Sequence, residues 1–290
     1  MMKSKRIFSL FVLLTICILL VSCGGQAPAS NSIVPANQLE VTYLDVGQGD
    51  SIFIRLPDER TMLIDAGEKN NGPMIEDFLH DQEVDRIDFL IATHPHTDHI
   101  GGMETIVRSF EIGKIYMPKK SHTSKTYESL LSAIQEKGLK ISTAKAGVSI
   151  LEEPGLSASI LAPTKDYDDL NNSSAVIKLV YQDTSFLFTG DAEAESEEQI
   201  ACDVRAGVLK IGHHGSQTST SDSFLQKVSP TYAVISCGEG NSYGHPHPET
   251  LKKLNDAGVI VYRTDQLGSI EAISDGTDIT FFANGKELES

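Results

Sequence analysis

Basic residues are scarce in this chain. Its 24 lysines and arginines stand against 40 aspartates and glutamates, giving a formal net charge of −16. A protein that grips long stretches of nucleic acid neutralises phosphates with a basic surface, so this balance argues against that mode of binding. Cysteine is equally sparse, limited to Cys17, Cys23, Cys202 and Cys237. Long apolar runs come down to one, Ile7 to Val21, which leaves no material here for a many-spanned membrane channel. What is present is globular: 290 residues with 40% hydrophobic content suffice for one large domain with a sizeable core, or for two smaller ones.

The apolar run has a specific context. Lys3, Lys5 and Arg6 precede it and Ser22-Cys23-Gly24-Gly25 follows, the order of an export signal. Leu20-Val21-Ser22-Cys23 resembles a bacterial lipoprotein cleavage box, which implies that residues 1–22 are removed and that Cys23 becomes a lipidated first residue. Loss of the three basic residues makes the remaining chain three units more negative. A lipid on Cys23 places the protein outside the cytoplasm, anchored to the cell membrane without spanning it. Residues 23–38, rich in Gly, Ala, Ser, Pro and Asn, read as a flexible tether. With Cys17 and Cys23 so assigned, Cys202 and Cys237 are left either to pair or to stay buried as thiols.

From Leu39 onward the pattern is one of short strands and helices. Leu39 to Leu44 runs into the turn Asp45-Val46-Gly47-Gln48-Gly49-Asp50, and a hairpin across Pro57-Asp58-Glu59-Arg60 leads to Asp65-Ala66-Gly67. Met74, Ile75, Phe78 and Leu79 recur at helical spacing, as do Met103, Ile106, Val107 and Phe110, and later Tyr127, Leu130, Leu131 and Ile134. These stripes are expected to form core. The second half repeats the theme: a hairpin over Gln182-Asp183 ends in Gly190-Asp191, Val208 to Ile211 ends in Gly212-His213-His214, and Tyr232 to Ser236 ends in Cys237-Gly238. Each candidate polar group thus follows a strand, where loops on a rigid sheet build sites.

The densest group is Thr93-His94-Pro95-His96-Thr97-Asp98-His99, directly after the apolar strand Ile87 to Ala92. Three imidazoles and one carboxylate within six positions suit a borderline divalent metal. A second ion needs more donors than this loop holds, and Asp191, His213 and His214 are the distant candidates. A carboxylate between two cations reduces their repulsion, a part that suits Asp191. Imidazole with carboxylate favours zinc, and manganese also accepts such a set.

His94-x-His96-x-Asp98-His99, Gly190-Asp191 and His213-His214-Gly215-Ser216 together resemble the metallo-β-lactamase-fold hydrolases, from about Leu39 to the end. More narrowly, Asp45-Val46-Gly47-Gln48-Gly49-Asp50, Asn171-Asn172-Ser173-Ser174, Leu209 to Ser216 and Tyr243-Gly244-His245-Pro246 resemble the soluble hydrolase domain of the ComEC competence proteins. The resemblance implies a mixed α/β (α+β) fold over residues 39–290, a four-layer αββα sandwich with one sheet from each half. It implies His94 and His96 on one metal, Asp98 and His99 on the other, Asp191 bridging, and His214 or His213 completing the second site. Many relatives carry a further histidine for the first site. Here only His122 lies in that region, and Asn171-Asn172 stands in the family-like segment, so Asn172 is the expected substitute ligand. One or two divalent ions are expected.

The function that follows is metal-assisted hydrolysis of a phosphoester, with Asp98 also able to take a proton from the metal-activated water and Asp191 essential. Lys210, Ser216, Asn241, Tyr243 and His245 are the expected donors to phosphate oxygens. His247 is read as structural, and His80 and His122 as surface residues. The leading reading is an extracytoplasmic phosphodiesterase or nuclease acting on DNA or nucleotides. A hydrolase of wall or lipid phosphodiesters, such as choline or teichoic-acid linkages, is the alternative, and a non-catalytic DNA-capture lipoprotein is a third. Oligomeric state has no signature in the sequence.

Overall fold

The computed structural model of the chain describes residues 37–289. The signal, Cys23 and all but the end of the tether lie outside the described residues. Among the described residues sixteen strands form two sheets. In chain order they are β1 Leu39–Tyr43, β2 Ile52–Arg55, β3 Thr61–Ile64, β4 Arg86–Ile91, β5 Glu111–Met117 and β6 Ile141–Thr143, then β7 Val148–Glu153 and β8 Leu156–Ala162. They continue with β9 Val176–Tyr181, β10 Thr184–Phe188, β11 Val208–Lys210, β12 Tyr232–Ile235, β13 Ile260–Arg263, β14 Ile270–Ser274, β15 Ile279–Ala283 and β16 Lys286–Glu287.

The first sheet has the order β16-β15-β14-β1-β2-β3-β4-β5-β6 and the second β13-β12-β11-β10-β9-β8-β7. The strands that carry the site run parallel to one another: β3, β4 and β5 in the first sheet, β10 to β13 in the second. A strand covered on both faces reads as a continuous apolar run, and β4, with Ile87, Phe89, Leu90 and Ile91 buried, is one.

Alternate residues of each strand face opposite ways, which gives three cores. Val41, Ile54, Ile64 and Ile91 meet Ile160, Ile177, Phe186 and Val208 between the sheets. On the far side of the first sheet, Phe53, Leu63 and Leu90 pack with Ile75 and Leu79 of α1 (Gly72–Asp81). Ile106 and Val107, beyond the short α2 (Thr97–Ile100) on α3 (Met103–Ser109), and Leu130 and Ile134 of α4 (Lys125–Glu136) complete that layer. Outside the second sheet, Leu209, Ala233 and Ile235 pack with Phe224 and Leu225, which follow α5 (Ala194–Gln199) on α6 (Asp222–Val228), and with Leu254 of α7 (Pro248–Asp256). Layers therefore run helix, sheet, sheet, helix, the αββα sandwich expected.

The expectation of one sheet per half is corrected. β7 and β8 leave the first half to pair with β9, and β14 to β16 return to the first sheet. The reason is edge closure: β1 presents backbone donors and acceptors on both sides, and antiparallel pairing with β14, Val41 opposite Ala272, satisfies the side that β2 leaves open. Met74, expected in the core, lies 39% exposed on α1, whose buried positions are Gly72, Ile75 and Leu79. Cys202 is exposed and Cys237 buried, both as free thiols, so the two do not pair. Among the described residues no helix is long and apolar enough to cross a membrane.

Candidate metal centre

Strand ends from both sheets meet at one point. Beyond β4 come Thr93 and His94, and His96 then serves as N-cap of α2, which carries Asp98 in its first turn and His99 behind it. From the second sheet, Asp191 follows β10, and His213 and His214 follow β11. The backbone is held in costly conformations here. Asp65, His213 and His214 have φ of 59°, 50° and 54°, and Gly215 follows at 88°. Left-handed backbone is disfavoured for residues with a Cβ, and such residues collect at functional sites where the surroundings enforce them. Gly49 has a different role: a Cβ there would lie 2.4 Å from the backbone oxygen of Asp98, so only glycine lets the β1–β2 turn reach that loop.

Among the described residues three groups of donors result, of which Asp50, Asp65 and His99 form the one behind the His99 ring and the other two share a residue. Asp98, His99, Asp191 and His214 form the first of these two, and His94, His96 and Asp191 the second, with Asp191 common to both. His99 Nε2 is 3.2 Å from Asp191 Oδ2, and His214 Nε2 is 3.3 Å from Asp98 Oδ2 and 3.6 Å from Asp191 Oδ1. His94 Nε2 is 3.7 Å from Asp191 Oδ2 and 2.9 Å from His96 Nδ1. His99 Nε2, His214 Nε2 and Asp191 Oδ1 are buried and have no hydrogen-bond partner. Buried polar atoms left unsatisfied are costly, and three of them aimed at one point fit a divalent cation.

The opposite edge of each ring is held. His99 Nδ1 lies 2.8 Å from Asp65 Oδ2, and Asp65 in turn accepts from Thr93 N at 2.8 Å and Thr93 Oγ1 at 2.6 Å. His94 Nδ1 is 3.2 Å from Thr93 Oγ1 and 3.3 Å from Ser174 Oγ, while Ser174 Oγ also accepts from Asp191 N at 3.1 Å. His214 Nδ1 faces Ser236 O at 3.1 Å and Asp50 Oδ1 at 3.4 Å. Such partners fix the tautomer and turn the other nitrogen toward a metal.

Electrostatics agree. Burial alone would raise the pKa of Asp191, but the charges of His99 and His214 outweigh it and hold the carboxyl well below its usual range. Burial would lower His214, yet Asp191 and Asp50 push it up to about 9. Burial, reinforced by the charge of His99, keeps His94 well below the usual imidazole value. The carboxylates that draw protons to His99 and His214 draw a divalent cation equally, and binding one expels those protons.

A cavity of about 300 Å³ opens over this centre, lined by Gln48, His96, Thr97, Asp98, His122, Asn171, Asp191, His213, His214, Tyr243 and His245. Of the two adjacent histidines, His214 is the one within the donor group. His213 stands at the wall, 3.8 Å from Asp191 and 3.3 Å from Glu193. Tyr243 and His245, expected as donors to phosphate oxygens, line the cavity.

Four other assignments change. Lys210 is fully buried, with Nζ 2.8 Å from Asp50 Oδ2 and donating to Ile211 O at 2.9 Å, so it cannot touch substrate. Ser216 is buried against Thr218, at 3.1 Å. Asn241 uses its whole amide on its own loop: Nδ2 donates to Gly238 O and His245 O, and Oδ1 accepts from Tyr243 N and His245 N. Asn172 is no ligand, because its Oδ1 accepts from Ser196 N at 3.0 Å and its Nδ2 donates to Asp169. Its neighbour Asn171 reaches the cavity instead, with a buried Oδ1 that has no partner.

His122, expected at the surface, joins the lining with its ring 6.2 Å from that of His96. His247 is structural as expected, its Nδ1 accepting from Gln217 N at 3.0 Å, and His80 is exposed beside Glu76. Asp50, Thr93 and Ser174 fall within quoted motifs, and Asp65 in a turn, but nothing in the sequence marks any of the four as the partner of a metal-binding imidazole.

The metallo-beta-lactamase superfamily profile matches residues 44–239, most of the chain and all of the donors. The chain belongs to that superfamily. It is 35% identical over 253 residues to ComE operon protein 3 of Bacillus subtilis, covering 80% of this chain and 32% of that protein. It is 31% identical to competence protein ComA of Neisseria gonorrhoeae, covering 82% and 33%. The chain thus spans about a third of the length of these curated relatives.

Among solved structures, the metallo-beta-lactamase fold protein YhfI from Bacillus subtilis superposes with a TM-score of 0.51 at 13% identity, covering 78% of this chain and 96% of that one. CmlA, a diiron beta-hydroxylase from Streptomyces venezuelae, gives 0.51 at 16%, covering 79% and 53%. These likenesses concern the fold. Family and donor set together make the chain a metal-dependent hydrolase.

Proposed function

We propose that the chain is a phosphodiesterase acting on nucleic-acid phosphodiesters, held outside the cytoplasm by lipid on Cys23. The observation that carries this reading is the pair of donor groups joined by Asp191 at the floor of a small open cavity. The names of the competence relatives support the substrate class. A divalent ion bound there supplies Lewis acidity to a phosphoryl group and lowers the pKa of water at the site.

The chain's own residues do the rest. Asp191 and the histidines hold the ions, and Asp65, Thr93 and Ser174 lock the imidazole orientations. Asp98, exposed to the cavity, accepts a proton from attacking water. Burial would raise its pKa, but the charges of His99 and His214 outweigh that and keep it in the accepting form. Asn171 and the wall histidines His122, His213 and His245 are the polar groups placed to meet phosphate oxygens.

The test is a substrate panel with purified protein supplied with zinc or manganese. Metal-dependent cleavage of oligonucleotides supports the reading; cleavage of choline phosphodiesters alone moves the assignment to wall or lipid substrates. For the anchor, Cys23→Ser should release the protein from the membrane fraction, and unchanged fractionation counts against it.

A further inference from the structure

Tyr243 is the most exposed large apolar side chain among the described residues, 66% accessible, and it stands on the rim of the cavity that holds Asp98, Asp191 and His214. Its ring stacks on His245, with centroids 5.6 Å apart and planes 22° from parallel. His245 in turn lies 5.6 Å from the His213 ring and 6.4 Å from that of His214. One imidazole therefore separates the tyrosine from the donors.

The platform is built before any substrate arrives. Asn241 Oδ1 accepts from the backbone N–H of Tyr243 at 3.2 Å and of His245 at 3.0 Å, and Gln48 Nε2 meets His245 Nδ1 at 3.4 Å. Rigid loops of this kind lower the entropic cost of binding.

We infer that Tyr243 is a stacking platform for the nucleobase beside the scissile phosphate, which makes unpaired nucleic acid, a single-stranded end or a short oligonucleotide, the substrate class. The inference rests on the phosphodiesterase reading above. A base inside a duplex is stacked on both faces and cannot use the platform, whereas an unpaired base gains a partner. The net charge of −16 fits the same picture, since no basic track is needed to read one nucleotide. A choline headgroup would call for converging aromatic faces. Here Tyr243 is the only Tyr, Phe or Trp in the lining among the described residues.

The experiment compares wild type, Tyr243→Ala and Tyr243→Phe, supplied with the same metal, on a thymidine dinucleotide, on its abasic counterpart and on glycerophosphocholine. Tyr243→Ala should raise KM for the dinucleotide roughly 5- to 150-fold with little change in kcat, the span expected for one lost base–aromatic stack. Tyr243→Phe should restore most of that affinity, and the abasic substrate should show no comparable loss.

An unchanged KM in Tyr243→Ala, a Phe variant as poor as Ala, or an equal loss on the abasic or choline substrate overturns the inference. Calorimetric titration with thymidine monophosphate reads the platform without turnover, and equal binding by wild type and Tyr243→Ala overturns it as well. Weakened binding with no phosphodiester cleaved by wild type would instead sink the phosphodiesterase reading and leave the platform standing.

Discussion

Lys210 Nζ lies 2.8 Å from Asp50 Oδ2 with both side chains buried, directly behind His214. Asp50 Oδ1 is also 3.4 Å from His214 Nδ1. Burial would raise the Asp50 carboxyl, but Lys210 and His214 outweigh it and bring the pKa down to about 2. Asp50, Asp65, Asp98 and Asp191 crowd a small volume, and Lys210 is the fixed cation that makes the nearest of them tolerable.

Removing one partner of a buried pair strands the other. Lys210→Met should therefore cost roughly 3–5 kcal/mol of unfolding free energy. Denaturant titration measures it, and combining Lys210→Met with Asp50→Asn should recover part of the loss. A cost near zero for the single variant would show that the pair contributes nothing to the fold.

Asp65 acts through His99, not on substrate. Asp65→Asn should leave the protein folded and weaken metal binding roughly 10- to 100-fold, as loss of a partner to a metal-ligating imidazole typically does. Competition with a chromogenic chelator reads the affinity directly. Unaltered affinity would remove Asp65 from the centre.

Away from the site, Glu271 of β14 lies close enough to Glu40 of the paired strand β1 for the two carboxyls to interact. Burial, then the charge of Glu40, raises its pKa from the usual 4.5 to about 7. A raised folded-state value means the folded chain binds the proton more tightly. The group's stabilisation is thus complete below about pH 4.5 and is lost as pH rises through 7. Glu271→Gln should raise the unfolding free energy at pH 8, and the melting temperature with it, by on the order of 1 kcal/mol once solvent screening is allowed for, with little change at pH 5. Thermal unfolding at the two pH values checks it, and equal shifts at both would rule out the titration.

Much of the centre is legible in the sequence because its donors are rare residue types crowded at strand ends. Three histidines and an aspartate packed directly after an apolar strand suit a metal site and little else, and Gly190-Asp191 and His213-His214 share the same placement. What depends on closure of the fold is not legible. Asp65 meets His99 across 34 residues, and nothing in Asp65-Ala66-Gly67 distinguishes it from a turn carboxylate.

The choice between Asn171 and Asn172 is a matter of which way one short helical turn faces, and the two are adjacent in sequence. Lys210 reads as a substrate donor because a lysine at a strand end is normally free. Its burial follows from Asp50, 160 positions earlier, occupying the same interior point. The return of β14 to β1 likewise has no local signal, since either strand could pair elsewhere until the sandwich closes.

One comparison bears most directly on Asp191 as the residue common to both donor groups. Metal per chain is measured by elemental analysis for wild type and Asp191→Asn after equilibration with zinc or manganese, alongside turnover of an oligonucleotide. Wild type should retain bound metal and cleave, while Asp191→Asn, still folded by circular dichroism, should lose most of its metal and all detectable turnover. Equal metal content with undiminished cleavage would contradict the account.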